Sequence, residues 1–430
     1  DLNNRIALAT QYVKNDLWVL TLSNPRLSSK SDESPGQAYQ KIGEKLGKGI
    51  GVITPEANIY RKKLNLMIAA NDLPDIMELQ WSDINRFKRF GIFLPLNDSI
   101  EKYAPDMAEF LKENPDVARM VTSDQGEYTA IPLISSNDEE LVTSGPIIRK
   151  DLFDQYKIDI PKTTDDWYAA LKALQEKGIK SPLTINSKLS DLLAFFDAVD
   201  TFYVQENKVY YGPAEPRYKE ALTTASKWYA EGLIDTDFVV MNAEQVDEKL
   251  IAGDAAVTFG NAGDNFERLL DNPENESFKI VGANFPTYSA KEKQLYNRLE
   301  GKAAAGGVVI TSRCKDVETA MKFINAAYKD YKVNYIYPEQ QEAVKIWAEG
   351  QLETECVKLP ETLDLTTEES TELQNLLVDI TTYNHEMSLK YILGAESFDQ
   401  YDKYQGTLNN LGLAKALQIY QDAYDRFLEH

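Results

Sequence analysis

Residues 63–83 read KLNLMIAANDLPDIMELQWSD, and few folds accommodate such a run. Leu64, Met67 and Ile68 recur at helical spacing, which predicts an amphipathic helix. Asn71-Asp72 with Pro74 ends it. Residues 75–79 then predict a short buried strand. A helix that stops and feeds straight into an apolar strand is the repeating unit of a parallel sheet with right-handed crossovers. Trp81 and Asp83 fall at the carboxyl end of that strand, the edge where the loops of an open α/β sheet line a crevice. An aromatic face beside a carboxylate suits a polyol, because C–H groups lie on the ring while hydroxyls donate to the acid. A structural Trp followed by a helix-capping Asp fits the same spacing equally well.

The same alternation fills the first third of the chain. Strands are predicted over 5–10, 51–54 and 75–79 and helices over 37–46 and 59–70, with a long loop holding Trp18 after the first strand. Asp124-Gln125-Gly126 predicts a turn into a strand over 127–134, and an extended stretch over 141–149 follows. These extended segments, poor in helix formers, read as a crossing between lobes. Helices dominate beyond Lys150. Thr163 with Asp166, and Thr366 with Glu369, have capping-box spacing, and Gly232 is placed to end a helix over 216–231. Further strands are predicted over 255–259, 279–283 and 307–311, the last followed by a helix over 317–329. The final part is almost wholly helical, and its stripe of Leu373, Leu376, Leu377 and Ile380 belongs to a core. The pattern predicts two α/β lobes with the chain passing between them more than once.

At 430 residues the chain is long enough for two full cores, and its 43% apolar and 27% charged residues are ordinary for a globular protein. A net charge of −22 argues against a nucleic-acid partner and against an anionic membrane surface. No apolar run reaches the roughly 18 residues that a membrane-spanning helix needs. Asp1 begins close to a predicted strand with no signal peptide before it, which gives the expectation of a mature fragment. Leu428-Glu429-His430 looks like the start of a vector-encoded tag, so 428–430 are set aside. Cys314 and Cys356 are the only cysteines and match no metal pattern; one disulfide between them stays open. His385 is then the one histidine left for a catalytic triad, a Cys-His pair or a zinc site, and a helix-surface position is the simpler reading. No metal and no cofactor are expected.

Patterns for a nucleophile elbow, a zincin helix, a Walker A loop and an EF-hand are all missing. Gly47-Lys48-Gly49-Ile50-Gly51 is glycine-rich but precedes a strand, the reverse order of a dinucleotide fingerprint. Among 68 acidic residues carboxylate pairs are inevitable, so a glycosidase with two facing carboxylates stays as the enzymatic alternative. Polar clusters recur after strand-like segments: Trp81 with Asp83, Ser135-Ser136-Asn137-Asp138, Asn186 with Ser187, and Asn261 with Asp264. Each alone is a turn; together they suggest a polar cleft that reads hydroxyls.

Several segments resemble one known family when taken in order. They are LNLMIAANDLPDIMELQWSD (64–83), GIFLPLNDSIEKYAPD (91–106), GEYTAIPLIS (126–135), IIRKDLFDQYKIDIPKTTDDWYAALKAL (147–174), YYGPAEPRYKEAL (210–222), WYAEGLIDTDF (228–238) and VVITSRCKDVETAMKFIN (308–325). The family is the extracellular solute-binding proteins of ABC importers, family 1, the maltose-binding-protein-like cluster in its long Firmicutes-type form. The resemblance covers nearly the whole chain. It implies an α/β, two-lobed periplasmic-binding-protein-like fold of class II type, with hinge-connected lobes and a helical C-terminal extension. Residues 1–134 and 278–330 would form the N-terminal lobe, and 135–277 and 331–427 the C-terminal lobe.

The same likeness implies that Trp81 and Asp83 line the cleft, that Asn137 and Asp138 fall at the first crossing, and that Asn261 and Asp264 fall near the second. It implies that Arg149 of the IIRKD motif faces the cleft and that Trp18 lies at its edge. Trp167 and Trp228 fall in family helices and read as structural. Residues 330–335 depart from the glycine-containing stretch expected there, which leaves Tyr337 and Trp347 without a ligand role. The implied activity is capture of a carbohydrate, an oligosaccharide in first place, by closure of the lobes. Delivery would be to transmembrane permease subunits, by a monomeric extracellular lipoprotein. The lipid anchor is implied by the family alone, since the chain holds no lipobox Cys. A carrier for a peptide or a sugar acid is a further alternative; the net charge disfavours an acidic ligand unless Arg149 reverses it locally.

Overall fold

The computed structural model describes residues 16–21, 35–123, 125–133, 142–271, 277–290, 292–296, 298–299, 306–330, 337–354 and 356–429. Its strands are β1 (Leu17–Leu20), β2 (Ile50–Ile53), β3 (Ile76–Leu79), β4 (Ile131–Pro132), β5 (Ser144–Arg149), β6 (Phe202–Gln205), β7 (Lys208–Tyr211), β8 (Val257–Asn261), β9 (Ile280–Gly282), β10 (Gly307–Ile310) and β11 (Cys356–Lys358). The strand expected over 5–10, and Asn137 and Asp138, lie outside the described residues.

The first lobe grows from the helix–stop–strand unit. Helix Ala57–Ala69 buries Tyr60, Leu64 and Met67, one stripe of its surface. Asn71 follows in the left-handed region (φ 49°) and turns the chain into β3, all four of whose residues are buried. The five-stranded sheet has the order β2-β1-β3-β10-β4, with β1 parallel to both β2 and β3 and β10 antiparallel to β3 and β4. Strand β10 runs against the others because the chain has by then returned from the second lobe. Gly306 permits the return: its φ is 124°, and a Cβ there would stand 2.3 Å from the carbonyl oxygen of Leu79. The apolar face of this sheet closes a core that also holds Trp18, Trp81, Met107 and Phe323.

The second lobe has its own, separate core. Strand β5 is the centre of a three-stranded sheet, β8-β5-β9, with both neighbours antiparallel. The pairing of Arg149 with Ile280 and Ile147 with Gly282 corrects the expected domain boundary. Strand β9 therefore belongs to the second lobe, and by β10 the chain is back in the sheet of the first. An isolated apolar run such as 279–283 names a strand but not the sheet it joins. Trp347 of helix Pro338–Ala348 lies over Gly145 and Gly282, and its indole Nε1 donates to the carbonyl of Pro146 at 3.0 Å. A second small sheet, β11-β6-β7, is built on a tight hairpin whose Glu206 and Asn207 both have positive φ (49° and 62°).

The C-terminal helices Thr367–Ile392, Tyr401–Asn410 and Leu413–Leu428 pack on the second lobe. Leu373 and Ile380 are buried there, as the apolar stripe requires. Polar pins fix the docking: Tyr218 and Ser388 share a hydrogen bond of 2.8 Å, and the Tyr404 hydroxyl donates to Asn384 Oδ1 at 2.7 Å. His385 is exposed on the first of these helices. Cys314 and Cys356 are both reduced thiols, packed in different clusters. Among the described residues no helix is long and apolar enough to cross a membrane.

Candidate functional site

A cavity of about 580 Å³ opens between the lobes, lined by Ser82 and Asn85 of the first and by a much larger surface of the second. Helix Trp81–Phe87 decides which first-lobe groups arrive there. Its buried face carries Trp81, Asp83, Ile84 and Phe87. Ser82 and Asn85, three positions apart, share the opposite face and reach the cavity. The lobes also touch beside it. The Asn85 side-chain amide donates to the Glu361 carbonyl at 2.9 Å, and Lys88 bonds the carboxylate of Asp364.

The second-lobe wall is built by a short relay of structure. Helix Leu189–Leu193 carries Asp191, and a single 3-10 turn, Ala194–Phe196, follows. Asp197 then takes a left-handed conformation (φ 48°), which aims its carboxylate back at the chain. It accepts from the backbone N–H groups of Leu295 at 2.7 Å and Tyr296 at 3.3 Å and so holds that segment against the cavity. Arg298 comes with it: its backbone N–H donates to Gln351 Oε1 at 2.6 Å and its guanidinium Nη2 to the Ala198 carbonyl at 3.1 Å. Aromatic faces complete the wall. Phe259, half-buried on β8, sits with its ring 6.0 Å from that of Phe285, and the Tyr203 and Tyr296 rings meet edge to face at 5.0 Å.

Burial sets the electrostatics. The Asp191 carboxyl is pushed up to about 6 by desolvation, against the pull of Lys188, the Ser190 hydroxyl and Arg298. Burial likewise raises Asp197 and Asp200, again opposed by Arg298. The guanidinium is itself pushed down by burial and held up by these acids. The wall therefore offers carboxylate acceptors, the compensated Arg298 guanidinium beside Lys358, and aromatic surface, a set suited to a ligand with both hydroxyls and C–H faces. Among the described residues no cluster of His, Cys, Asp and Glu is arranged to hold a metal ion.

Several sequence expectations change at this point. Trp81 is 2% exposed, packed against the space left by Gly307, where a Cβ would lie 2.9 Å from its ring, so it is core and not an open platform. Asp83 is sealed in the same interior, 3.7 Å from Arg61, with its carboxyl raised by burial. Trp18 lies within β1 and not in a loop; its ring covers Gly51 and its backbone N–H donates to Asp75 at 2.8 Å. Arg149 is turned inward, paired through Nε and Nη2 with Asp151 at 2.9 and 2.7 Å and bonded to the Leu250 carbonyl.

Asn186 accepts from the Lys188 backbone at 3.1 Å and shapes the turn that precedes Asp191. Asn261 and Asn265 exchange hydrogen bonds at 3.0 and 3.4 Å at the start of helix Asp264–Leu270; the side chain of Asp264 lies outside what is described. Of the described ones, Trp18, Trp81, Asp83, Arg149, Asn186 and Asn261, none lines the cavity. The groups that do, Asp200-Thr201-Phe202-Tyr203 among them, repeat the acid-beside-aromatic pairing seen at Trp81 and Asp83. That signal was open to the same reading.

Two α/β cores facing each other across an aromatic, carboxylate-bearing cleft define a two-lobed ligand-binding protein. The family is more specific. Residues 30–331 match the model for bacterial extracellular solute-binding proteins, and the chain belongs to that family. It is 26% identical to the lipoprotein LipO of Bacillus subtilis (strain 168) over 276 residues, 60% of this chain and 53% of LipO. It is 26% identical over 346 residues to the fructooligosaccharide ABC transporter substrate-binding protein FusA of Streptococcus pneumoniae serotype 4 (strain ATCC BAA-334 / TIGR4), 73% of this chain and 61% of FusA. The chain thus spans between about half and three fifths of the length of these curated relatives. A solved structure of an HMO-binding, ABC-transporter-associated solute-binding protein from Bifidobacterium longum infantis ATCC 15697 superposes with a TM-score of 0.75 at 17% identity. It covers 96% of this chain and 99% of that one. The two-lobed α/β fold is common to both.

Proposed function

We propose that this chain is the ligand-capturing component of an ABC importer, taking a carbohydrate, an oligosaccharide in first place, into the cleft and passing it to the permease. It works outside the cell, held to the surface by a lipid anchor. One observation carries the reading: a cavity of about 580 Å³ between the lobes, combining Ser82 and Asn85 with aromatic rings and carboxylates opposite. That volume lies within the range of small-ligand sites, roughly 300–1,000 Å³. The names of FusA and of the HMO-binding neighbour support a sugar as the ligand class. A ligand held by both walls favours the state in which they approach, because only that state makes both sets of contacts.

The test is a thermal-shift screen over neutral and acidic oligosaccharides, followed by calorimetry. A ligand at about 100 times its Kd should stabilise the protein by about 2.7 kcal/mol and raise Tm by a few degrees, with the sugar recovered intact. Shorter products after incubation would replace this reading with the glycosidase alternative. A shift with peptides and none with sugars would move the ligand to another class.

A further inference from the structure

We infer that the cleft selects uncharged glycans and rejects uronate-containing ones, because among the described residues its second-lobe wall sets Asp191 and Asp200 beside one guanidinium, Arg298. This rests on the carbohydrate reading above and names the kind of sugar. Arg298 is the cation an acidic sugar would seek in that wall, but it is already engaged. It donates to the Ala198 carbonyl at 3.1 Å and lies in the field of Asp191, Asp200 and the buried Asp197 behind the wall. Of the other charged groups that line the cavity, Lys358 and Glu361 are of opposite sign, and Lys188, which acts on Asp191, is exposed and does not line it. Among the described residues that line the cavity, Asp191, Asp200 and Glu361 outnumber Arg298 and Lys358, which leaves a negative wall in a partly desolvated site, where like charges repel more strongly than in water.

Among the described residues, Asp191 and Asp200 receive few hydrogen bonds. Asp191 receives a long contact from the Ser190 hydroxyl, 3.5 Å, and Asp200 is stabilised by its own backbone N–H. Their lone pairs are therefore open to hydroxyl donors, which every neutral sugar ring supplies in number. A uronate places an acceptor where the wall needs donors and a negative charge where the wall is already negative. Phe259, half-buried beside them, takes the C–H face in either case, so the discrimination lies in the acids and not in the ring.

Calorimetry on the intact chain tests this with length-matched probes: fructo-, gluco- and galacto-oligosaccharides against oligogalacturonides and alginate oligomers. At least one neutral series should bind, with the uronates weaker by at least about tenfold. Raising salt to about 0.5 M should narrow that gap by screening the repulsion while leaving neutral binding nearly unchanged. Asp191→Asn and Asp200→Asn keep the side-chain shape and remove the charge, and each should narrow the gap by about threefold or more. Uronates binding as tightly as neutral sugars would overturn the inference and leave the carbohydrate reading standing. So would a gap indifferent to salt and to both substitutions. Failure of every sugar in both series would remove the carbohydrate reading itself. The salt series needs no variant, so a substitution that fails to fold leaves the test intact.

Discussion

Two aromatic residues, Trp81 just past β3 and Phe259 within β8, divide the roles that the sequence assigns to one. Trp81 fills a core against Gly307, whereas Phe259 stands half-buried in the wall of the cleft. Trp81→Ala should therefore act on stability, by about 3–5 kcal/mol in denaturant unfolding, as for other large-to-small changes in cores. Phe259→Ala should act on affinity, weakening sugar binding by about 1–3 kcal/mol, or roughly five- to a hundredfold. Equal affinities for Phe259→Ala and the parent would remove Phe259 as the platform. Asp191 has a signature of its own. Its folded-state carboxyl, at about 6, lies above the unfolded value of about 3.9. Between these pH values the folded state binds more protons than the unfolded one, so stability falls as pH rises through the window and stays reduced above it. The cost at neutral pH is at most about 3 kcal/mol. Asp191→Asn should raise stability at pH 7 and flatten the curve between roughly pH 4 and 6. A curve of unchanged shape would mean that Lys188 and Arg298 offset the burial of Asp191 more fully than its raised carboxyl indicates.

At the scale of elements, the parts that declare themselves through local chemistry were readable and those decided by distant contacts were not. The capping boxes are the clearest case. Thr163 and Asp166 exchange bonds of 3.1 and 3.0 Å, and Thr366 and Glu369 bonds of 3.1 and 2.8 Å, both at the expected helix starts. Helix Ala57–Ala69 and β3 fall where periodicity and Pro74 put them. Strand β1 was missed because its residues read as part of a loop, and only parallel pairing with β2 and β3 makes Leu17–Leu20 a strand. The site followed the same rule. The segment after β3 reaches the cavity, but which face of helix Trp81–Phe87 does so depends on what packs beneath it, so Ser82 and Asn85 were passed over for Trp81 and Asp83. The cap at Thr366 matters beyond its own turn. Glu369 also pairs with the Arg426 guanidinium at 3.0 and 2.7 Å, and Arg426 donates to the Asp364 carbonyl at 2.9 Å. Thr366→Ala should cost about 1 kcal/mol of stability in denaturant unfolding. A change near zero would show that Arg426 alone holds the helix start.

Across the whole molecule, the contact that joins the lobes beside the cavity sets how readily they part. Lys88 belongs to the first lobe and Asp364 to the loop before helix Thr367–Ile392 of the second; their side chains are 20% and 15% exposed. Asn85 and Glu361 join one step closer to the cavity. A partly screened ion pair of this kind contributes about 0.2–1 kcal/mol. That amount changes the balance between apposed and separated lobes by roughly 1.4- to fivefold. If ligand binds best to the apposed state, apparent affinity falls with the population of that state. Lys88→Ala and Asp364→Ala should each weaken binding within that range, chiefly through faster release, since related variants differ mostly in off-rate. The double variant should be no worse than the weaker single one, because both remove the same interaction. X-ray scattering of the ligand-free double variant should show a larger radius of gyration than the parent, and saturating sugar should bring the two together. Additive losses, or identical scattering with and without the pair, would mean that the lobes are held by the hinge alone and that Lys88 and Asp364 meet without consequence for capture.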